Sequence, residues 1–344
     1  MTTERFRLAI VGAGAISRVA HLPAALASPL VRVVAVIDPD TERASALCRK
    51  FGVTASIGAS PDDLGIEMDG AVVATPNHLH APMASALAAR GIHVLVEKPM
   101  AMDAGSAKAL VDVAASHGVT IAVGYHTRHS GACRALKHVV ESNHFGRTIR
   151  FAHQDGGRGG WSPLSGYNLD PKRAGGGVLV TTGTHFLDRL IWLWGSPDSV
   201  EFFDNSLGGP ESHCVARFRF PHDGDEITGS AIFSKVVSLA ETTVVETTEG
   251  MLIMHSDAAD AITFKPKGKS ALEYQVGLAG SRVDPRSLYQ RQLEDFIAAC
   301  RSGTRPAVDA ITGACSVDLV ARLYSERKPL AENSKEALQA VAHV

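Results

Sequence analysis

The chain has 344 residues, of which 45% are hydrophobic and 20% charged, and a formal net charge of -2. That length suggests about two domains with room for a core in each, and so neutral a balance argues against nucleic-acid or membrane-surface partners, which favour concentrated positive charge. No run approaches the roughly 18 apolar residues of a membrane span, the N-terminus has no apolar signal core, and the five cysteines are scattered without a C-x-x-C pair, so a reduced cytoplasmic protein is the expectation.

From Phe6 to Gly124 six short apolar runs alternate with Ala-rich helical stretches: FRLAIV, VRVVAVI, VTAS, DGAVVAT, IHVLVE and VTIAVG. Their hydrophobicity is continuous rather than alternating, the mark of strands covered on both faces, hence a parallel sheet. Residues 1–124 are therefore expected to form a doubly wound Rossmann domain.

The first strand ends in VGAGAIS, Val11 to Ser17. Gly12 permits the tight turn, and Gly14 lets the backbone approach a pyrophosphate at the start of a helix opened by Ala15 and Ile16. The second strand ends VVAVIDPD, which places Asp38 at its tip. A carboxylate there accepts from the adenosine ribose hydroxyls and repels a 2′-phosphate, favouring NAD over NADP. Capping the next helix is the other reading of Asp38, and Arg43 follows only five residues later. The fourth run continues as VVATPNHLH and the fifth as IHVLVEKPM, bringing Thr75, Pro76, Asn77 and His80, and then Glu97 and Lys98, to carboxyl ends of buried strands.

After about Tyr125 the pattern changes. HCVARFRF puts Cys214, Ala216, Phe218 and Phe220 on one face and Val215, Arg217 and Arg219 on the other. ITGSAIFSKVVS, LAETTVVETTEG, GMLIMH and DAITFKP follow, reading as an antiparallel meander with one apolar face. The chain returns to helices in SLYQRQLEDFIAACRSG and ITGACSVDLVARLYSE. Residues 125–344 are thus expected to form an α+β domain with a mostly antiparallel sheet. His126-x-x-His129 and His78-x-His80 lack accompanying ligands, so no metal is expected, and no G-x-S-x-G elbow supports a serine triad.

GAGAIS, TPNHLH, EKP and GGGVLVTTGTHFLD, in that order, resemble the Gfo/Idh/MocA family of dehydrogenases, which includes glucose–fructose oxidoreductase and inositol dehydrogenases, over essentially the whole chain. The resemblance implies a Rossmann domain followed by a domain with an open sheet, a sugar or cyclitol substrate between that sheet and the nicotinamide, and homodimers or homotetramers through the open sheet. It implies a catalytic, substrate-binding role for Lys98, and a cofactor-lining role for Thr75, Pro76, Asn77, His80 and Glu97. Elementary chemistry agrees for Lys98. Oxidising a secondary alcohol needs a base for the hydroxyl proton, and burial beside a cationic nicotinamide would lower a lysine pKa toward a usable value.

In the family the GGG stretch carries an aspartate four residues before its histidine. Here the histidine is His185 and the position four before it is Thr181. His185 suits proton transfer near neutrality, Thr181 can bind a sugar hydroxyl but carries no charge, and Asp188 either orients His185 or serves as a cap or ion pair. The missing acid leaves three readings: Lys98 and His185 suffice, Asp155 or Asp170 substitutes, or hydride transfer has been lost. Trp161 and Tyr167 are candidates for stacking on a sugar face or for plugging a loop. Tyr125, His126 and Arg128 follow the sixth strand, where a substrate would enter. The leading expectation is an NAD-dependent sugar or cyclitol dehydrogenase. The alternatives are an NAD-dependent glycosidase working by transient oxidation and elimination, and a non-catalytic dinucleotide- or sugar-binding regulator.

Overall fold

The computed structural model describes residues 4–158, 170–206, 209–222, 225–255, 259–269, 271–282 and 284–330. The chain forms two compact units, Met1–His126 with Asp284–Val317, and Thr127–Val283 with Asp318–Val344. A segment remote in sequence thus belongs with the first unit. Among the described residues no helix is long and apolar enough to cross a membrane.

In the first unit β1 (Phe6–Val11), β2 (Val31–Ile37), β3 (Ser56–Gly58), β4 (Gly70–Val73), β5 (His93–Val96) and β6 (Ile121–Val123) form a parallel sheet in the order β3-β2-β1-β4-β5-β6. Five of the six expected runs hold their strand, while the third, VTAS, reaches it only at Ser56, the strand itself being SIG. Successive side chains point to opposite faces, and each face has its own core. Leu8 and Ile10 of β1 join Val36, Val72 and Leu95 on one side, whereas Ala9 and Val11 join Ile37, Val73 and Val96 on the other. Residues covered on both sides have no polar face to offer, which is why these strands lack alternation.

The helices of this unit are α1 (Leu22–Ala27), α2 (Thr41–Phe51), α3 (His80–Ala88) and α4 (Ala104–His117). Side-chain caps start two of them: Asp40 accepts the Arg43 N–H at 3.0 Å, and Asp103 accepts that of Ser106 at 2.8 Å. The late segment supplies Leu293, Phe296 and Ile297 to one core and Val308 to the other. It also pairs with β6, where Val123 N–H donates to the Val308 carbonyl at 3.0 Å.

The second unit is built on a nine-stranded sheet of β7 (Thr148–Gly156), β8 (Ser199–Asp204), β9 (His213–His222), β10 (Asp225–Ser234), β11 (Leu239–Thr247), β12 (Gly250–His255), β13 (Ala259–Pro266), β14 (Tyr274–Arg282) and β15 (Arg327–Pro329). The order is β14-β13-β12-β11-β7-β10-β9-β8-β15. β7 runs parallel to β10 and β15 parallel to β8, while the other pairs are antiparallel. The remaining helices are α5 (Gly131–Ser142), α6 (Pro171–Ala174) and α7 (Thr184–Trp194) in this unit, then α8 (Pro285–Ser302) and α9 (Ala310–Ser325).

The expected simple meander is corrected here: β7 is inserted between β10 and β11. Gly229 makes room for it, since a Cβ at that position would stand 2.2 Å from the Phe151 ring opposite. One face of the sheet packs Phe151, Phe218, Phe220 and Phe233 against Phe186 and Leu190 of α7. Phe151 stacks on Trp194 at 4.4 Å between centroids, and His153 on Phe186 at 4.0 Å. The alternation in HCVARFRF matches this burial: Cys214, Ala216, Phe218 and Phe220 face the core while Arg217 and Arg219 are exposed.

Candidate active site

In the first unit the turn after β1 is shaped by Gly12, whose φ of 98° is open to glycine and strained for other residues. A Cβ there would lie 2.4 Å from the Ala74 carbonyl oxygen, so the turn packs directly on the strand that leads to Thr75. Over Gly14 a Cβ would meet nothing within 4 Å, which leaves the backbone approachable at the helix start. Ser17, in the third position of the fingerprint, is buried and donates its hydroxyl to the Gly12 carbonyl at 2.5 Å. Ala15 and Ile16 are half-buried and lead into a π-helical turn, Ser17–His21, a wide turn often found at functional sites.

Asp38 is buried. Its Oδ2 accepts the Ala13 N–H at 2.8 Å and its Oδ1 the Asp40 N–H at 2.9 Å, so it ties the glycine turn to the end of β2. Asp40, not Asp38, caps α2. Arg43 folds back on Asp38, Nη2 to Oδ1 at 3.2 Å, while remaining half exposed. These features fit a dinucleotide: an open amide turn for a pyrophosphate, and a carboxylate at the tip of β2. The buried Thr75 hydroxyl, which has no hydrogen-bond partner among the described residues, adds an unused polar group beside the same turn.

Asn77 is buried, and Pro76 half-buried ahead of it. The His80 ring spans two loops, with Nδ1 2.7 Å from the Pro99 carbonyl and Nε2 2.8 Å from that of Thr75. Burial pulls its pKa below the ordinary value, and a neutral ring donates to only one of those carbonyls. His80 therefore braces the cofactor-side loops against each other.

Glu97 is buried, with Oε1 2.8 Å from His21 Nε2 and Oε2 accepting the Lys98 N–H at 3.1 Å. Burial pushes its carboxyl up, but the hydrogen bond and charge of His21, with the charges of Lys98 and His126, outweigh that and bring it to about 2. A Cβ on Gly124 would lie 3.2 Å from Glu97 Oε2, so the neighbouring strand end closes over the carboxylate. Lys98 is half-buried at the carboxyl end of β5. Tyr125, expected near substrate, is instead 1% exposed and packs within the apolar core. His126 is half-buried and stacks on Tyr289 at 4.2 Å.

The second unit holds the GGG segment. Gly177 takes the place of any larger residue because a Cβ there would sit 2.0 Å from the Glu211 carbonyl oxygen, and one on Gly176 would sit 2.0 Å from the Tyr324 hydroxyl. Glu211 is fully buried and caps the entry. It accepts the Leu179 N–H at 2.9 Å, the Gly177 N–H at 3.2 Å and the Tyr324 hydroxyl at 3.0 Å, and pairs with Arg327 at 3.1 Å. The chain then makes a π-helical turn, Leu179–Gly183, and continues as α7. Thr181 and His185 are both half-buried. The Thr181 hydroxyl donates to the Gly177 carbonyl at 3.1 Å, one turn back along its own segment.

Asp188 is fully buried in an ion pair with Arg128, Nε to Oδ2 at 2.6 Å and Nη2 to Oδ1 at 2.7 Å. The Arg128 guanidinium also lies over the Trp192 ring, 4.9 Å from its centroid. In place of the expected substrate contact, Arg128 ties the start of this unit to α7, and Asp188 serves as its counter-ion. Asp155 is half-buried on β7. Burial, then the nearby Glu241 charge, push its carboxyl up to about 6, against Lys235 and Arg189. Asp170 caps α6, accepting the Lys172 N–H at 3.0 Å. Trp161 and Tyr167 lie outside the described residues. Among the described residues no three His, Cys, Asp or Glu side chains are grouped to hold a metal ion.

Sequence reasoning missed His21, Tyr289 and Glu211. Nothing in their local spacing marks them, since each meets its partner through the fold.

Residues 6–125 match the model of an oxidoreductase family with an NAD-binding Rossmann fold, and residues 133–253 match the GFO/IDH/MocA C-terminal domain. The chain is 29% identical over 322 residues to 1,5-anhydro-D-fructose reductase of Ensifer adhaerens, covering 90% of this chain and 93% of that protein. It is 28% identical over 319 residues to the rhizopine catabolism protein MocA of Rhizobium meliloti, covering 93% and 92%. The fold is similar to that of the WlbA dehydrogenase from Bordetella pertussis solved with NADH and UDP-GlcNAcA, with a TM-score of 0.80 at 20% identity over 95% of this chain and 96% of that one. With both halves matched in order, the chain belongs to the Gfo/Idh/MocA family of oxidoreductases.

Proposed function

We propose that the chain is an NAD-dependent dehydrogenase or reductase of a sugar, sugar derivative or cyclitol, acting at a secondary hydroxyl. The first unit carries the cofactor and the second the substrate, so the boundary expected at 124/125 gives way to units in which Asp284–Val317 belongs with the first. The turn Gly12–Ile16 holds the pyrophosphate, Asp38 the adenosine ribose, and Thr75, Pro76 and Asn77 line the cofactor, with Glu97 and His80 bracing that wall. Bound NAD supplies the hydride acceptor for the carbon that bears the hydroxyl.

Lys98 takes the hydroxyl proton, His185 assists, and Thr181 and His126 position the substrate. Asp155 is the acid available to this chain where Thr181 stands, since its carboxyl, held at about 6, exchanges protons near neutrality. The observation that carries the reading is the order at β5: a buried, ionised Glu97 followed at once by half-buried Lys98 at a strand's carboxyl end, where open α/β sheets place ligands. The carboxylate at Asp38 supports NAD over NADP.

The test is formation of NADH by the purified chain with NAD and a panel of cyclitols, free sugars and glycosides. Turnover on a polyol supports the dehydrogenase. Cofactor-dependent hydrolysis of a glycoside without net NADH points to the oxidation–elimination chemistry instead. NADH binding with no turnover on any member of the panel contradicts both.

A further inference from the structure

Directly before Lys98 the first unit buries an acid–base cluster that the proton transfer above does not itself use. His21 is 4% exposed and Glu97 7% exposed. Their contact, Nε2 to Oε1 at 2.8 Å, joins the turn after the glycine motif to the end of β5. A carboxylate oxygen only accepts, so His21 Nε2 carries the proton between them. The other carboxylate oxygen accepts the main-chain N–H of Lys98 at 3.1 Å, which ties the pair to the backbone that carries that residue, and the Lys98 charge acts on the same carboxylate.

Tyr289 of α8 holds the two imidazoles. It meets His21 edge-on, with centroids 5.3 Å apart at 89°, and lies on His126 at 4.2 Å and 19°. Among the described residues, His21 from the π-helical turn, Lys98 from its own strand end and His126 after β6 act on Glu97, whose charge in turn acts on Tyr289 of α8 and His80 of α3.

This arrangement has a consequence for Lys98. A bare carboxylate next to an ammonium stabilises the charged form and raises the lysine pKa, which is adverse for a group that must give up its proton near neutrality. We propose that His21, braced by Tyr289, is a positioning residue that turns the Glu97 carboxylate toward itself and so sets the proton affinity of Lys98. The proposal rests on the reading of Lys98 as proton relay for its purpose, but not for its measurement. The depressed Glu97 carboxyl is consistent with it, because an ionised Glu97 engaged by a donor is the state it needs.

The experiment measures Lys98 directly. The full-length protein, without cofactor or substrate, is trace-labelled with acetic anhydride across pH. Acetylation of the Lys98 peptide is read by mass spectrometry against exposed Lys108. His21→Leu, which removes the donor, is expected to raise the labelling midpoint by about one pH unit, a tenfold gain in proton affinity. His21→Gln, which can return an N–H near the same place, restores most of the wild-type midpoint. Glu97→Gln, which keeps shape and removes the charge, lowers it, and decides the question if the leucine variant does not fold. Midpoints that agree in all variants overturn the proposal whatever their activity. If the midpoints move but the pH profile of kcat/KM does not follow, the proton-affinity proposal stands and the relay role of Lys98 fails.

Discussion

The guanidinium of Arg128 grips the carboxylate of Asp188 through two hydrogen bonds, 2.6 Å and 2.7 Å long, with both side chains out of contact with solvent. It donates a third time to the Asp188 carbonyl at 3.1 Å. Both charges are buried, so removing one leaves the other without its bidentate counter-ion. Arg128→Met is expected to cost about 3–5 kcal/mol of unfolding free energy, and Arg128→Met with Asp188→Leu to recover most of it. Urea denaturation of the single and double variants checks this. Equal losses in both would show that packing on Trp192, not the charge pair, sets the cost.

The entry to α7 gives a second prediction. Gly177→Ala places a methyl group where the Glu211 backbone already stands, and Glu211→Ala removes the acceptor shared by two amides of the same segment. Both changes should lower kcat more than they raise KM, because the segment that carries Thr181 and His185 is displaced while cofactor-side residues are untouched. Steady-state kinetics with NADH affinity as a control distinguishes this from general unfolding.

Cofactor choice gives a third. On the proposed reading Asp38 repels a 2′-phosphate, and Arg43, which lies against Asp38, receives one once that carboxylate is removed. Asp38→Ser should weaken NADH binding and strengthen NADPH binding, moving the ratio of dissociation constants by at least about tenfold, or 1.4 kcal/mol. Fluorescence titration with the two reduced cofactors reads it. An unchanged ratio would mean that Asp38 serves only the Ala13 and Asp40 amides.

Two carboxyls predict opposite pH effects on stability. Glu97 titrates at about 2 in the folded chain, below its ordinary value of 4.5. The stability it contributes is present above that ordinary value and is lost as pH falls toward 2. Asp155 titrates near 6, above its ordinary 3.8. The folded chain holds that proton more tightly than the unfolded chain, so stability falls as pH rises from the ordinary value through 6. Asp155→Asn should therefore raise the melting temperature at pH 7.5 and leave it nearly unchanged at pH 4. A gain of equal size at both values would mean that ionisation is not the cause.

The parallel sheet was legible because burial on both faces writes itself into uninterrupted runs such as VRVVAVI, and the glycine turn because Gly12 needs its positive φ. β7 was not legible: TIRFAHQDG mixes one aromatic residue with Arg, His, Gln and Asp, and its place between β10 and β11 depends on a glycine some eighty residues later, Gly229. Lys98 and His185 are singled out by their motifs, and the structure leaves both half-buried, with their roles resting on the proposed function. Arg128 and Tyr125 were correctly placed after the sixth strand, but burial and pairing are properties of side chains meeting in space. The same limit hid His21, whose partner is seventy-six positions away.

The central claim is that Lys98 moves the hydroxyl proton in an NAD-coupled oxidation. The most direct measurement compares kcat of wild type and Lys98→Met on a substrate the wild type oxidises, with NADH affinity measured in parallel. Loss of a positioned general base predicts a fall of roughly 10²–10⁴-fold in kcat with NADH binding nearly unchanged. Turnover in Lys98→Met equal to that of wild type would contradict it.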